Sequence, residues 1–121
     1  MSKILVVEDE KMLRDAFVIL LEVNGYVVDA AVNGKDALRY CENVNYDLIL
    51  LDLMMPVLDG EGFLRAAKLS ESSPGTKIVV LSNLSFDTLP PRLKELGVVR
   101  QEVKSNLSTK ELIAVVREEL A

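Results

Sequence analysis

Histidine is absent from this 121-residue chain. Its absence excludes a Ser–His–Asp triad, an imidazole-held zinc ion and phosphorylation of this chain on histidine. Cysteine occurs once, as Cys41. A disulfide framework is thereby ruled out, the chain fits a reducing cytoplasm, and Cys41 reads as a small core residue. Cations are in deficit: 14 Lys and Arg stand against 19 Asp and Glu, a formal charge of −5. That balance argues against direct nucleic-acid binding, which rests on neutralising phosphates. No apolar run approaches membrane-spanning length, and Met1-Ser2-Lys3-Ile4 leads into an apolar strand without a signal-peptide layout. No internal repeat, low-complexity segment or linker divides the chain. A single domain over residues 1–121, cytoplasmic and without a membrane contact, is expected.

What is present is an alternation of apolar runs with helix-period segments. The sequence is 50% hydrophobic and 27% charged, enough for an ordinary core. At this size folding buries roughly two-thirds of the unfolded chain's surface, so no metal or disulfide staple is required. The pattern predicts a strand over Lys3 to Val7 and then a helix with Leu13, Phe17, Leu20 and Leu21 inward, stopped by Asn24-Gly25. A second strand is expected from Tyr26 to Ala31, followed by a helix capped by Asn33 with Ala37, Leu38 and Cys41 inward. The run from Tyr46 closes a third strand at Asp52, and Asp59-Gly60 opens a helix burying Phe63, Leu64 and Ala67. Ser70 to Gly75 reads as a polar connector and Lys77 to Leu81 as the fourth strand.

Pro90-Pro91 predicts a short fourth helix, Pro91 to Leu96, after a long loop and stopped by Gly97. A weak fifth strand near Val98 to Val103 carries Arg100, Gln101 and Glu102. The last helix starts at a capping box, Ser108-Thr109-Lys110-Glu111, and buries Leu112, Val115, Val116 and Leu120. Five strands alternating with five helices imply an α/β, doubly wound, five-stranded parallel sheet with helices on both faces.

The strand ends carry the chemistry. Glu8-Asp9 follow the first strand, Asp52 the third, Ser82 the fourth and Lys104 the fifth. In doubly wound sheets that edge binds ligands. Carboxylates gathered there are costly unless a cation binds or their pKa values rise, and hard oxygen donors suit Mg²⁺. A carboxylate, a metal site, a hydroxyl and an ammonium are the equipment for placing a phosphoryl group on Asp52. Singly, each residue has a plainer reading. Asp52 could open a loop, Glu8-Asp9-Glu10 could be helix N-terminal charge, Ser82 a turn serine and Lys104 a solvated lysine. Glu10 is read as only such a charge, and Asp59 as a helix cap.

With Val6-Val7-Glu8-Asp9-Glu10, Asp52-Leu53-Met54-Met55-Pro56, Asp59-Gly60, Ser82 and Lys104 in order on these elements, the chain resembles the receiver domain of two-component response regulators over its whole length. The resemblance implies a flavodoxin-like (βα)5 fold with strand order 2-1-3-4-5. It implies that Asp52 is the phosphoacceptor, and that Glu8, Asp9, Asp52 and the Met54 backbone carbonyl hold Mg²⁺. Ser82 would bond a phosphoryl oxygen and Lys104 would pair with it. The donor would be a phosphohistidine on a sensor histidine kinase or phosphotransfer protein. Phosphorylation would switch a surface of the fourth helix, fifth strand and last helix that meets a downstream effector or output domain, with a homodimer as a further possibility. Such a chain is not an enzyme beyond its own phosphorylation and dephosphorylation.

The chain departs from that family's pattern in three places. Gln101 stands where an aromatic switch is usual, so any output change must use other contacts. Ser105 follows the lysine where proline is usual, and a cis bond there would cost ~2.5–4 kcal/mol, so trans geometry or deliberate strain is expected. Asn83 follows the hydroxyl where a very small residue is usual, and is expected to shield the phosphoryl group and slow its loss.

Other classes fit less well. A flavodoxin relative needs a hydroxyl- and glycine-rich phosphate loop where Glu8-Asp9-Glu10 stand. An aspartyl-phosphate phosphatase often has a second Asp where Met54 stands. The alternative with weight is a degenerate receiver that binds partners without phosphorylation. Gln101, Ser105 and the proline-broken fourth helix favour it, and the retained acidic pair, Asp52, Ser82 and Lys104 oppose it.

Overall fold

The computed structural model describes residues 1–83 and 88–121. Its strands are β1 (Lys3–Val7), β2 (Val27–Ala31), β3 (Leu48–Leu51), β4 (Lys77–Ser82) and β5 (Val98–Val103), all parallel, in the order β2-β1-β3-β4-β5. The helices are α1 (Lys11–Val23), α2 (Gly34–Asn43), α3 (Gly60–Ala67), α4 (Leu69–Ser72), α5 (Pro91–Glu95) and α6 (Thr109–Leu120), with a 3₁₀ turn at Lys104–Asn106. The expected flavodoxin-like order is therefore the one observed.

Alternation along the central strands builds two cores. Leu5, Val7, Ile49, Leu51, Ile78 and Val80 point to one face, where Ala37 of α2, Phe63 and Leu64 of α3 and Leu93 of α5 cover them. Ile4, Val6, Leu48, Leu50, Val79 and Leu81 point to the other, under Leu21 of α1 and Leu112, Val115 and Val116 of α6. A sheet covered on both faces needs near-continuous apolar strands, which is why β1, β3 and β4 read as unbroken runs.

The helix starts follow their caps. Asn33 Oδ1 accepts from Asp36 N at 2.8 Å and Asp59 Oδ1 from Gly62 N at 2.7 Å. The α6 box is reciprocal: Ser108 Oγ accepts from Glu111 N, and Glu111 Oε1 accepts from Ser108 N.

The polar connector needs correction. Its first residues join Leu69 in the one-turn helix α4, because Lys68, in the left-handed region at φ 49°, ends α3 and the buried Leu69 anchors a new turn. Ser72 Oγ then bonds back to the Ala67 and Lys68 carbonyls. The proline-started helix runs from Pro91 to Glu95 with Leu96 as its cap, and Gly97, at φ 99°, is its stop. Part of the long loop expected before it, residues 84–87, lies outside the described residues.

Candidate functional site

The sheet's register assembles the site. At the switch point β1 lies between β2 and β3, with Val7 opposite both Ala31 and Leu51. The ladders run one residue further: Glu8 N donates to Ala31 O and Asp52 N to Val7 O, each at 3.1 Å. Glu8 and Asp52 thus leave adjacent strands at the same rim, at 2% and 6% exposure. Asp9 is exposed beside them, and the three residues each offer a carboxylate oxygen within 4.8 Å of the others.

Local contacts hold each carboxylate. Glu8 Oε2 accepts from Glu10 N at 3.0 Å, while Arg14 on the first turn of α1 donates to the Glu8 and Asp9 carbonyls at 2.8 and 3.2 Å. Asp52 Oδ1 accepts from Met54 N at 3.1 Å. Behind Asp52 the start of α3 presses on the backbone. Gly60 N donates to Leu53 O at 3.1 Å, and a Cβ at Gly60 would lie 2.4 Å from Asp52 O and 2.8 Å from Leu53 Cα. Only glycine allows that approach.

Lys104 completes the cluster from the far side of the sheet. Its Nζ lies 2.6 Å from Glu8 Oε1 and 3.2 Å from Asp52 Oδ2. Burial raises the Glu8 carboxyl above its usual pKa, against the opposing pull of Lys104 and the Glu10 amide. Burial works to lower the Lys104 ammonium, but its bond to Glu8 and the charges of Asp52 and Glu8 outweigh it and the pKa rises. Among the described residues the three carboxylates outnumber the Lys104 ammonium and the Arg14 guanidinium, and all the carboxylate donors are hard oxygens suited to a divalent cation.

Ser82 closes β4 at 2% exposure, opposite Val103, the residue before Lys104. Gln101 lies opposite Val80, half-buried. The Lys104–Ser105 peptide is trans, and Asn83 Oδ1 accepts from Ser105 N at 3.1 Å. The residues singled out in the sequence therefore gather on one rim. Three features were not anticipated: Arg14 as a clamp on the loop carbonyls, the Gly60 approach, and Glu8 rather than Asp52 as the nearer partner of Lys104. Gly60 alone had a local signal, in Asp59-Gly60.

The family model for the response regulator receiver domain matches residues 4–117. Among curated proteins, the chain is 32% identical over 126 residues to the alkaline phosphatase synthesis transcriptional regulatory protein SphR of Synechococcus elongatus, covering 96% of this chain and 48% of that protein. It is 31% identical over 123 residues to the response regulator GacA of Pseudomonas aeruginosa, covering 100% of this chain and 56% of that one. The chain thus spans about half the length of these relatives. Among solved structures, chemotaxis protein CheY4 of Vibrio cholerae superposes with a TM-score of 0.88 at 27% identity, over 99% of both chains. Response regulator TrrA of Thermotoga maritima superposes at 0.83 with 30% identity, over 99% of this chain and 100% of that one. The chain belongs to the family of response regulator receiver domains of two-component systems.

Proposed function

We propose that Asp52 accepts a phosphoryl group from a phosphohistidine, with Mg²⁺ as cofactor, and that the modified chain switches a partner-binding surface. The observation that carries this reading is the convergence of Glu8, Asp9 and Lys104 on the buried Asp52 carboxylate. The electronegative oxygen cluster fits a hard divalent ion, which Glu8, Asp9, Asp52 and the Met54 carbonyl would hold. When bound, the ion supplies positive charge to the oxygens of the transferring group. In support, the TrrA relative was crystallised in complex with Mg²⁺ and BeF.

An Asp52 carboxylate oxygen attacks phosphorus as the P–N bond to the donor imidazole breaks. The new P–O bond is an acyl phosphate, and the leaving nitrogen keeps the bonding pair and takes a proton from solvent. Lys104 swings from its carboxylate partners to a phosphoryl oxygen, offsetting its charge. The Ser82 hydroxyl donates to another oxygen. The added charge of about −1.5 to −2 is the local event that biases the switch. Hydrolysis reverses the change when water attacks phosphorus and restores the carboxylate.

The chain is thus a phosphoacceptor rather than a turnover enzyme. Its donor is a sensor histidine kinase or phosphotransfer protein. Its output passes through α5, β5 and α6 to an effector, an output domain or a second copy. Its place is the cytoplasm, where a lone cysteine stays a thiol. The test is transfer from a phosphohistidine-bearing kinase domain, then borohydride reduction and peptide mapping. Homoserine at position 52 is the expected product; label on another residue, or none, contradicts the reading.

A further inference from the structure

Asn83 follows Ser82 and Ser105 follows Lys104. The backbone ladder between β4 and β5 ends at Ser82 opposite Val103. Beyond it, the bond from Ser105 N–H to Asn83 Oδ1 at 3.1 Å joins the two loops across 22 residues of chain. This bond needs both partners at once. A side chain without an acceptor at 83 would leave the Ser105 amide without this bond, and proline at 105 would have no N–H to give. Read separately in the sequence, the two residues are unrelated oddities; in space they are one contact.

Its position gives it leverage. The hydroxyl at Ser82 and the ammonium at Lys104 come from different strands, and each sits one residue before the bond. Ser82 is the last β4 residue that the ladder pairs, and Lys104 lies one residue beyond its partner Val103. The Ser105–Asn83 bond carries the tie between the two strands one residue further, past both groups, and rate follows such placement steeply.

We propose that Asn83 and Ser105 form one clasp that positions Ser82 and Lys104 over Asp52 and so sets the rate at which Asp52 is phosphorylated. The inference rests on Asp52 being the phosphoacceptor. Both are positioning residues: they bond each other, and the clasp acts on phosphoryl uptake through its neighbours.

The test uses acetyl phosphate with Mg²⁺, from which the P–O bond to Asp52 forms as the donor's P–O bond breaks and acetate leaves. Initial uptake is followed by intact-protein mass. Asn83→Ala and Ser105→Pro each slow uptake about two- to tenfold, the scale of one net hydrogen bond. The double variant is no slower than the slower single one, and Ser105→Ala, which keeps the N–H, restores the wild-type rate. Additive slowing in the double variant, or a Ser105→Ala defect as large as that of Ser105→Pro, overturns the proposal. A second readout needs no phosphate: Ser105 amide hydrogen exchange is faster in Asn83→Ala than in wild type. Unchanged exchange overturns the clasp alone. Wild-type protein that takes up nothing overturns the acceptor reading and the clasp's kinetic role together, so the two failures are distinct.

Discussion

The Lys104 ammonium is closer to Glu8, at 2.6 Å, than to Asp52, at 3.2 Å. In the unphosphorylated chain this lysine mainly neutralises a buried glutamate. Lys104→Ala leaves Glu8, only 2% exposed, without its cationic partner. Removing one member of a buried pair costs about 3–5 kcal/mol, and water at the open rim reduces that to roughly 1–3 kcal/mol. Urea unfolding measures it. An unchanged midpoint would show that the pair contributes nothing.

The electronegative rim gives a second expectation. Mg²⁺ well above its dissociation constant stabilises the folded chain by about 1–3 kcal/mol, by mass action. Asp9→Asn removes most of that gain with little effect on the metal-free protein, because Asp9 is exposed. Thermal unfolding with and without Mg²⁺ compares the two proteins, and an equal Mg²⁺ shift in both would remove Asp9 from the metal site.

The start of α3 must stay glycine. Gly60→Ala would put a Cβ 2.4 Å from the Asp52 carbonyl oxygen, so backbone has to move. A destabilisation of about 1–3 kcal/mol is expected, together with slower phosphoryl uptake, because the shifted atoms belong to Asp52 itself. Wild-type stability and uptake in this variant would show that the loop yields freely.

Cys41 tests burial on the opposite side of the domain from α6. Desolvation pushes its thiol from 9.0 up to about 11. At pH 8 its thiolate fraction is therefore about 100-fold below that of the unfolded chain. Alkylation by iodoacetamide should be correspondingly slow in the native protein and fast in urea. For a thiol pushed upward, the stabilising contribution is complete below pH 9.0 and is lost as pH rises through about 11. Equal alkylation rates in the two states would contradict the burial.

Much of this was legible in the chain because the informative residues act locally. β1, β3 and β4 are buried on both faces and read as apolar runs. Asn33, Asp59 and Ser108 cap the helices they precede. Asp52 and Glu8-Asp9 were visible as polar residues closing such runs. α4 was not legible, since a four-residue turn has no periodicity and depends on Leu69 reaching the core. The Glu8–Lys104 pair spans 96 residues and depends on the order of the whole sheet. The bond between Asn83 and Ser105 depends on where the β4–β5 ladder stops, which no local pattern encodes.

The most direct measurement is intact-protein mass after incubation with acetyl phosphate, with and without Mg²⁺, beside an Asp52→Ala control. One added phosphoryl group that requires both Mg²⁺ and Asp52 is the predicted result. No addition under conditions that label an ordinary receiver, or addition that survives Asp52→Ala, would contradict the account and favour a receiver that binds its partners without phosphorylation.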